Sequence, residues 1–373
     1  MEIIATKETE NPGIDMTKSI CFFNHKGGVS KTTTTFNLGW SLASIGKKVL
    51  MVDLDSQCNL TGMVLGFDAI EDGLDAFYAS RQNLTMGPIV DFLINGGQPD
   101  AYLSQDTGKI HKTLNENLFL LAGHLDVADL DSQISVSLKI AAGIPATRNI
   151  PGNLPKLLQA IATANNIDYI LYDLSPNVGG LNEVMLMSSD YFIVPTTPDF
   201  FCWQAVSSLS KNIPKWHREL KRFKEDNEGS NNAANFINNQ PKFLGTIQQR
   251  YRPRNGMPAK SFEKWITSIR DAVDKTLVPK LATLNCTISR ELIQDALDET
   301  GSDLEAYDLA HIADFNSLIA ISQQLSTPIF SLSDQQIADS KQFGHALNTM
   351  KKSRDNFADQ FEALALRIIK LTS

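Results

Sequence analysis

Between an apolar strand-like run, Ser19–Phe23, and a helical stretch from Lys31 to about Ile45 stands Asn24-His25-Lys26-Gly27-Gly28-Val29-Ser30-Lys31-Thr32-Thr33. A glycine-rich turn that joins a strand end to a helix start leaves few folds open. Gly46 stands where a helix C′ residue would, and Val49–Val52 follows as a short apolar strand. The unit has the size of a βαβ crossover. Further buried-strand candidates are Tyr169–Tyr172, preceded by a helix near Leu154–Ala164, then Tyr191–Val194 and Phe243–Ile247. Strands alternating with helices predict an α/β fold, a mostly parallel sheet with helices on both faces.

Composition narrows the class. The 373 residues are 42% hydrophobic and 20% charged, the ordinary range of a globular chain. With 34 basic against 42 acidic side chains the net charge is −8, which excludes a uniformly basic nucleic-acid binder but not a local basic patch. No apolar run is long enough to span a bilayer, and the start, MEIIATKETENPGID, is too acidic and polar for a signal peptide. Cys21, Cys58, Cys202 and Cys286 form no CxxC pair and read as reduced thiols of a cytoplasmic protein. The expected organisation is a loose tail over 1–16 and one domain over 17–332, with helices over 333–373 packed on that domain. Within it, 67–115 reads as a partly helical insertion, and the Asn-rich stretch 225–240 as a mobile loop.

The glycine-rich segment has the chemistry of a phosphate cradle. Glycines let backbone N–H groups turn toward phosphate oxygens, and the helix N-terminus adds a favourable dipole. Lys31 would reach the β- and γ-phosphates, and the Thr32 hydroxyl would hold Mg²⁺. The usual GxxxxGK[ST] pattern fails at both of its glycines, occupied here by His25 and Ser30. A glycine-rich turn before a helix is often only a turn. Aspartates at the ends of two later strands, where α/β sheets bind ligands, favour a site.

KGGVSKTT resembles the deviant phosphate loop of ParA-type partition ATPases and their MinD-like relatives. Asp53-Leu54-Asp55-Ser56-Gln57-Cys58-Asn59 is similar to that family's DxDPQxN motif, with Ser56 in place of proline. Tyr169–Pro176 resembles its Walker B strand, ending in Asp173, and Phe192–Pro195 the strand that follows. The resemblance covers about residues 17–330. It implies a three-layer P-loop NTPase fold with helical insertions and C-terminal helices, and slow ATP hydrolysis with Mg²⁺. The nucleotide-binding set would be Lys26, Gly27, Gly28, Val29, Ser30, Lys31, Thr32 and Thr33. Ser30 stands where glycine is common, so its backbone should avoid a glycine-only conformation. Two ATP-bound protomers would form a homodimer in which Lys26 crosses to the partner's phosphates. A cation added at the γ-phosphate stabilises transition-state charge. Lys26, Lys31 and Asp55 are the expected catalytic residues, Asp55 positioning the attacking water. Thr32 would bind Mg²⁺ directly, with Asp53 and Asp173 holding it through water. His25 reads as a loop residue. No guanine-reading [NT]KxD motif is present, and the cysteines lack the pairing of nitrogenase-type iron proteins.

The resemblance also implies nonspecific binding of double-stranded DNA, nucleoid association and a ParB-like activating partner. Six bases fall within 211–224, Arg218, Lys221 and Arg222 among them, and Trp216, Leu220 and Phe223 mark the buried face of that helix. Arg250, Arg252 and Arg254 begin a second cluster, whereas 291–308 holds seven acids and no base. Such asymmetry suits a phosphate-binding face on an acidic protein. Too little chain precedes the first strand for a helix-turn-helix. Phe357, Phe361, Leu364 and Ile368 form a helical stripe, but the acids Asp355, Asp359 and Glu362 beside it favour core packing over a membrane surface. Two functions stay open: a DNA-bound partition ATPase, or an ATP-gated switch serving host defence, conjugation, protein positioning or membrane cycling.

Overall fold

Val49–Leu54 and Tyr169–Leu174 are buried along their whole length. Continuous apolar runs of this kind belong inside a parallel sheet covered on both faces. The computed structural model describes residues 16–66, 75–139, 148–227, 233–251, 253–254, 257–258, 260–340 and 343–373. The tail expected over 1–16 lies outside the described residues except for Met16, and so does part of the loop expected over 225–240. The strands are β1 (Lys18–Phe22), β2 (Val49–Leu54), β3 (His111–Lys112), β4 (Leu118–Leu121), β5 (Tyr169–Leu174), β6 (Tyr191–Thr196), β7 (Lys242–Tyr251), β8 (Pro253–Arg254), β9 (Met257–Pro258) and β10 (Asp308–Ala313). Eight of them form one sheet in the order β10-β7-β6-β1-β5-β2-β4-β3, and β8 and β9 form a separate antiparallel pair. Only β3 runs antiparallel within the large sheet.

The principal helices are α1 (Lys31–Ser44), α2 (Asn59–Leu65), α3 (Met86–Ile94), α4 (Val127–Lys139), α5 (Ile150–Ala164), α6 (Gly180–Ser188), α7 (Phe200–Asp226), α8 (Lys260–Ala272), α9 (Arg290–Glu299) and α10 (Gly344–Leu371). They pack as two sets, α1 with α2 and α10 and α10 with α9 in one, and α4 to α8 in the other. The result is the three-layer α/β arrangement of P-loop NTPases. Gly39 lets α1 lie close on the sheet: a Cβ there would sit 3.2 Å from Met51 Sδ and 3.3 Å from Leu118 and Leu171 methyls.

Three strands of the large sheet, and the β8–β9 pair, exceed the sequence reading. β4 is a four-residue run, LFLL, too short to tell from a helix fragment. β10, DLAHIA, carries Asp308 and His311 on an edge strand and follows an acidic stretch. β3, inside the expected insertion, adds to the sheet edge beside β4. The C-terminal stripe is core: Phe357, Phe361, Leu364 and Ile368 are buried, and Ser41 Oγ donates to Phe361 O at 3.1 Å. Among the described residues no helix is long and apolar enough to cross a membrane.

Candidate functional site

β1 delivers the chain into the glycine-rich loop at the centre of the sheet. Asn24, wholly buried, anchors the first turn: its Nδ2 donates to Pro195 O at 2.8 Å and its Oδ1 accepts from Lys26 N at 3.0 Å. Gly28 (φ 72) and Ser30 (φ 59, ψ 31) are both left-handed, which swings the chain around before α1. Glycine adopts that backbone freely, whereas serine gives up about 1–2 kcal/mol there. Ser30 thus takes the left-handed region that glycine favours but serine can also adopt, which is not a glycine-only conformation. Lys31 opens α1, 7% exposed, and its Nζ donates to Asn24 O at 3.1 Å. Burial pushes its pKa down, and the carboxylates of Asp173 and Asp55 act against that.

The β2–β5 register sets Asp53 directly beside Asp173 at the carboxyl edge. Their environments differ. Asp53 Oδ2 accepts from Thr61 N at 2.8 Å and Thr61 Oγ1 at 2.7 Å, and its Oδ1 accepts from Asp55 N at 3.2 Å. Burial raises its pKa to about 6 against those bonds. Asp173 is also buried, yet neither carboxylate oxygen has a hydrogen-bond partner among the described residues. Burial and the neighbouring Asp53 push it to about 8, with Thr32 and Lys31 acting the other way. Two unpartnered buried carboxylate oxygens beside a threonine hydroxyl fit a hydrated divalent cation. No group of three or more His, Cys, Asp or Glu could hold a metal among the described residues.

Asp55 Oδ1 accepts from Gln57 N at 3.0 Å, and the residue lines a cavity of about 460 Å³ under the loop. Gly27 to Thr33 form one wall. Asp314, Phe315, Ile319 and Gln323, which follow β10 and carry no recognisable motif, also line the cavity. Arg250 lines the same cavity, and its Nη1 donates to Gly28 O at 2.9 Å. This arginine, read from sequence as a DNA contact, is turned toward the phosphate loop.

Lys26 is held within its own chain. Its Nζ meets Asp199 Oδ2 at 2.5 Å and Thr197 Oγ1 at 3.0 Å, both just beyond β6. Burial works against the Asp199 carboxylate, but the bonds from Lys26 and Thr197 outweigh it and hold its pKa below the ordinary value. Asp199 also caps α7, accepting from Cys202 N at 2.9 Å. No sequence motif marked this partner.

A family model described as an AAA domain matches residues 17–224. Similar proteins include the sporulation initiation inhibitor protein Soj of Bacillus subtilis, 26% identical over 72% of this chain and 87% of Soj. Chromosome partitioning protein ParA of Caulobacter vibrioides is 29% identical over 52% of this chain and 60% of that protein. The chain belongs to the ParA/MinD-type P-loop ATPases. Among solved structures, the ATP complex of a Cyanothece McdA variant superposes with a TM-score of 0.57 at 13% identity, covering 91% of this chain and 96% of McdA. Pyrococcus furiosus cell division ATPase MinD gives 0.51 at 17% identity, covering 95% and 100%. At those identities the likeness is one of fold.

In this ParA/MinD-type ATPase the α7 bases are partly neutralised on their own helix. Lys215 pairs with Glu219, Lys221 with Glu225 and Arg222 with Asp226, at 3.5–3.9 Å. Trp216, Leu220 and Phe223 are buried, as the helical spacing predicts. Arg252 lies outside the described residues, and Arg254 belongs to the β8–β9 hairpin.

Proposed function

We propose that the chain binds ATP with Mg²⁺ in the cavity under Gly27–Thr33 and dimerises in that state. It then hydrolyses ATP slowly, as a timer for assembly. The observation that carries this is Asp173, buried with both oxygens unpartnered beside Lys31 and Thr32. Thr32 and Asp173 would hold Mg²⁺, which when bound neutralises phosphate charge. Asp53 is committed to Thr61 and Asp55 and shapes the loop that carries Asp55. Asp55, with one oxygen fixed by Gln57, aligns the attacking water, and Lys26 reaches the partner's nucleotide.

That last role requires Lys26 to leave Asp199. The side chains are 25% and 37% exposed, so solvent screening limits the pair to about 0.2–1 kcal/mol. Asp199→Asn should therefore favour the ATP dimer, which releases one such pair in each protomer, lowering its dissociation constant by about two- to thirty-fold in analytical ultracentrifugation. An unchanged or weaker dimer would contradict a restraining role for Asp199.

With a ParB-like partner, the ATP dimer would position plasmid or chromosome DNA. Six phosphate contacts would give a log–log salt slope near about −5. Reversing Arg218, Lys221, Arg222, Arg252 and Arg254 to Glu should abolish DNA binding and spare ATP binding, since Arg250 and the loop are untouched. Binding undiminished in that variant would place the DNA face elsewhere. Two observations favour the other reading, a switch serving a non-partition partner: three of the six α7 bases are paired with acids on their own helix, and Arg250 faces the nucleotide cavity. Absence of DNA binding by the wild-type ATP dimer would select it.

A further inference from the structure

A second cavity of about 610 Å³ opens between the end of β7, α8, β10 and α10, and shares no lining residue with the nucleotide cavity. Its inner wall includes Arg367, only 6% exposed. The guanidinium donates from Nε to Thr300 Oγ1 at 2.7 Å and from Nη1 to Leu309 O at 2.5 Å. No carboxylate lies within salt-bridge distance of it among the described residues. A buried cation with only neutral partners is costly, and an anion beside it would offset that cost. Other donors share the wall. Tyr251, 7% exposed, lines the cavity as well and carries a phenolic O–H donor. Arg270 lines the cavity with one guanidinium nitrogen 3.1 Å from Glu305. His311 also lines it, its Nε2 against Asp308 Oδ2 at 2.7 Å.

The rim has the opposite sign. Glu263, Asp303 and Asp359 are all exposed there. An acidic rim repels a polyanion such as DNA, while Arg367, the wall cation without a carboxylate partner among the described residues, retains a small anion that fits inside. Tyr251 also directly follows Arg250, whose left-handed backbone (φ 59) aims its side chain at Gly28 O. A ligand on Tyr251 would press on the residue that braces the phosphate loop.

We propose that this cavity binds a small oxyanion, a carboxylate or phosphate held by Arg367, Arg270 and Tyr251, and that occupancy alters nucleotide affinity through Arg250. The second half rests on the nucleotide reading above; the first does not. Isothermal titration of the full chain with succinate and with inorganic phosphate tests it. The measurement is made in wild type and in Lys31→Ala, in which the phosphate loop has lost its cation. At least one probe should bind saturably, one per chain, in Lys31→Ala. Because hydrogen bonds to charged groups are the strong ones, Arg270→Gln and Tyr251→Phe should each weaken that binding by about five-fold or more. Which probe binds separates a carboxylate from a phosphate source. Absence of saturable binding by both probes in Lys31→Ala, or binding unchanged in both wall variants, would overturn the site. For the coupling, saturating probe should shift wild-type affinity for a non-hydrolysable ATP analogue by at least about two-fold, and Tyr251→Phe should remove the shift. An unshifted affinity with the probe bound would overturn the coupling alone.

Discussion

Lys31→Ala is expected to weaken ATP binding by about thirty-fold to a few thousand-fold. The ammonium is buried at the head of α1, bonded to Asn24 O and lying between the charges of Asp173 and Asp55. Truncating one member of a buried charge pair costs about 2–5 kcal/mol, and each 1.4 kcal/mol is tenfold in affinity. The substitution also leaves Asp173 without its cation, which moves that carboxyl further toward its protonated form. The helix itself should survive, because alanine has the best helix propensity. Circular dichroism would establish that, and equilibrium binding of a fluorescent ATP analogue would give the affinity. An unchanged affinity in a folded variant would remove the phosphate-loop assignment itself.

What the sequence made legible follows from how local each feature is. The strand–loop–helix passage from β1 to α1 depends on neighbouring residues only, and glycine spacing with a following lysine announces it. Asp53 and Asp173 were readable as strand-end acids, but not as partners in register, because β2 and β5 lie more than a hundred residues apart in sequence. Nor could spacing show that Asp53 is satisfied by Thr61 while Asp173 is left without partners. Asp199 and Arg250 escaped for the same reason. Each meets the glycine-rich loop from a strand end distant in sequence, beyond the neighbouring β6 or on the next strand, β7. β10 was missed because Asp308 and His311 interrupt its apolar run, although most of the strand is buried. With it went Asp314 and Phe315, which line the cavity.

The central claim is that two chains complete each other's nucleotide site. Lys26→Ala retains Lys31 and Asp55, so it should bind ATP and hydrolyse it poorly. Asp55→Ala should bind ATP and dimerise, yet lack the group that aligns water. In a mixed dimer the Lys26→Ala protomer keeps its own Asp55 and receives an intact Lys26 from its partner. That site is whole, and the other lacks both groups. Equal mixing with unbiased pairing makes half the dimers mixed, with half their sites working, so activity should return to about a quarter of wild type. Dimer formation is measured independently, since Lys26→Ala weakens pairing if Lys26 bridges the protomers. The deciding measurement is the ATPase rate of that equal mixture at saturating ATP, with mixed dimers demonstrated. Recovery to about a quarter of the wild-type rate is predicted; a mixture no more active than its two components would contradict a lysine that acts across the dimer.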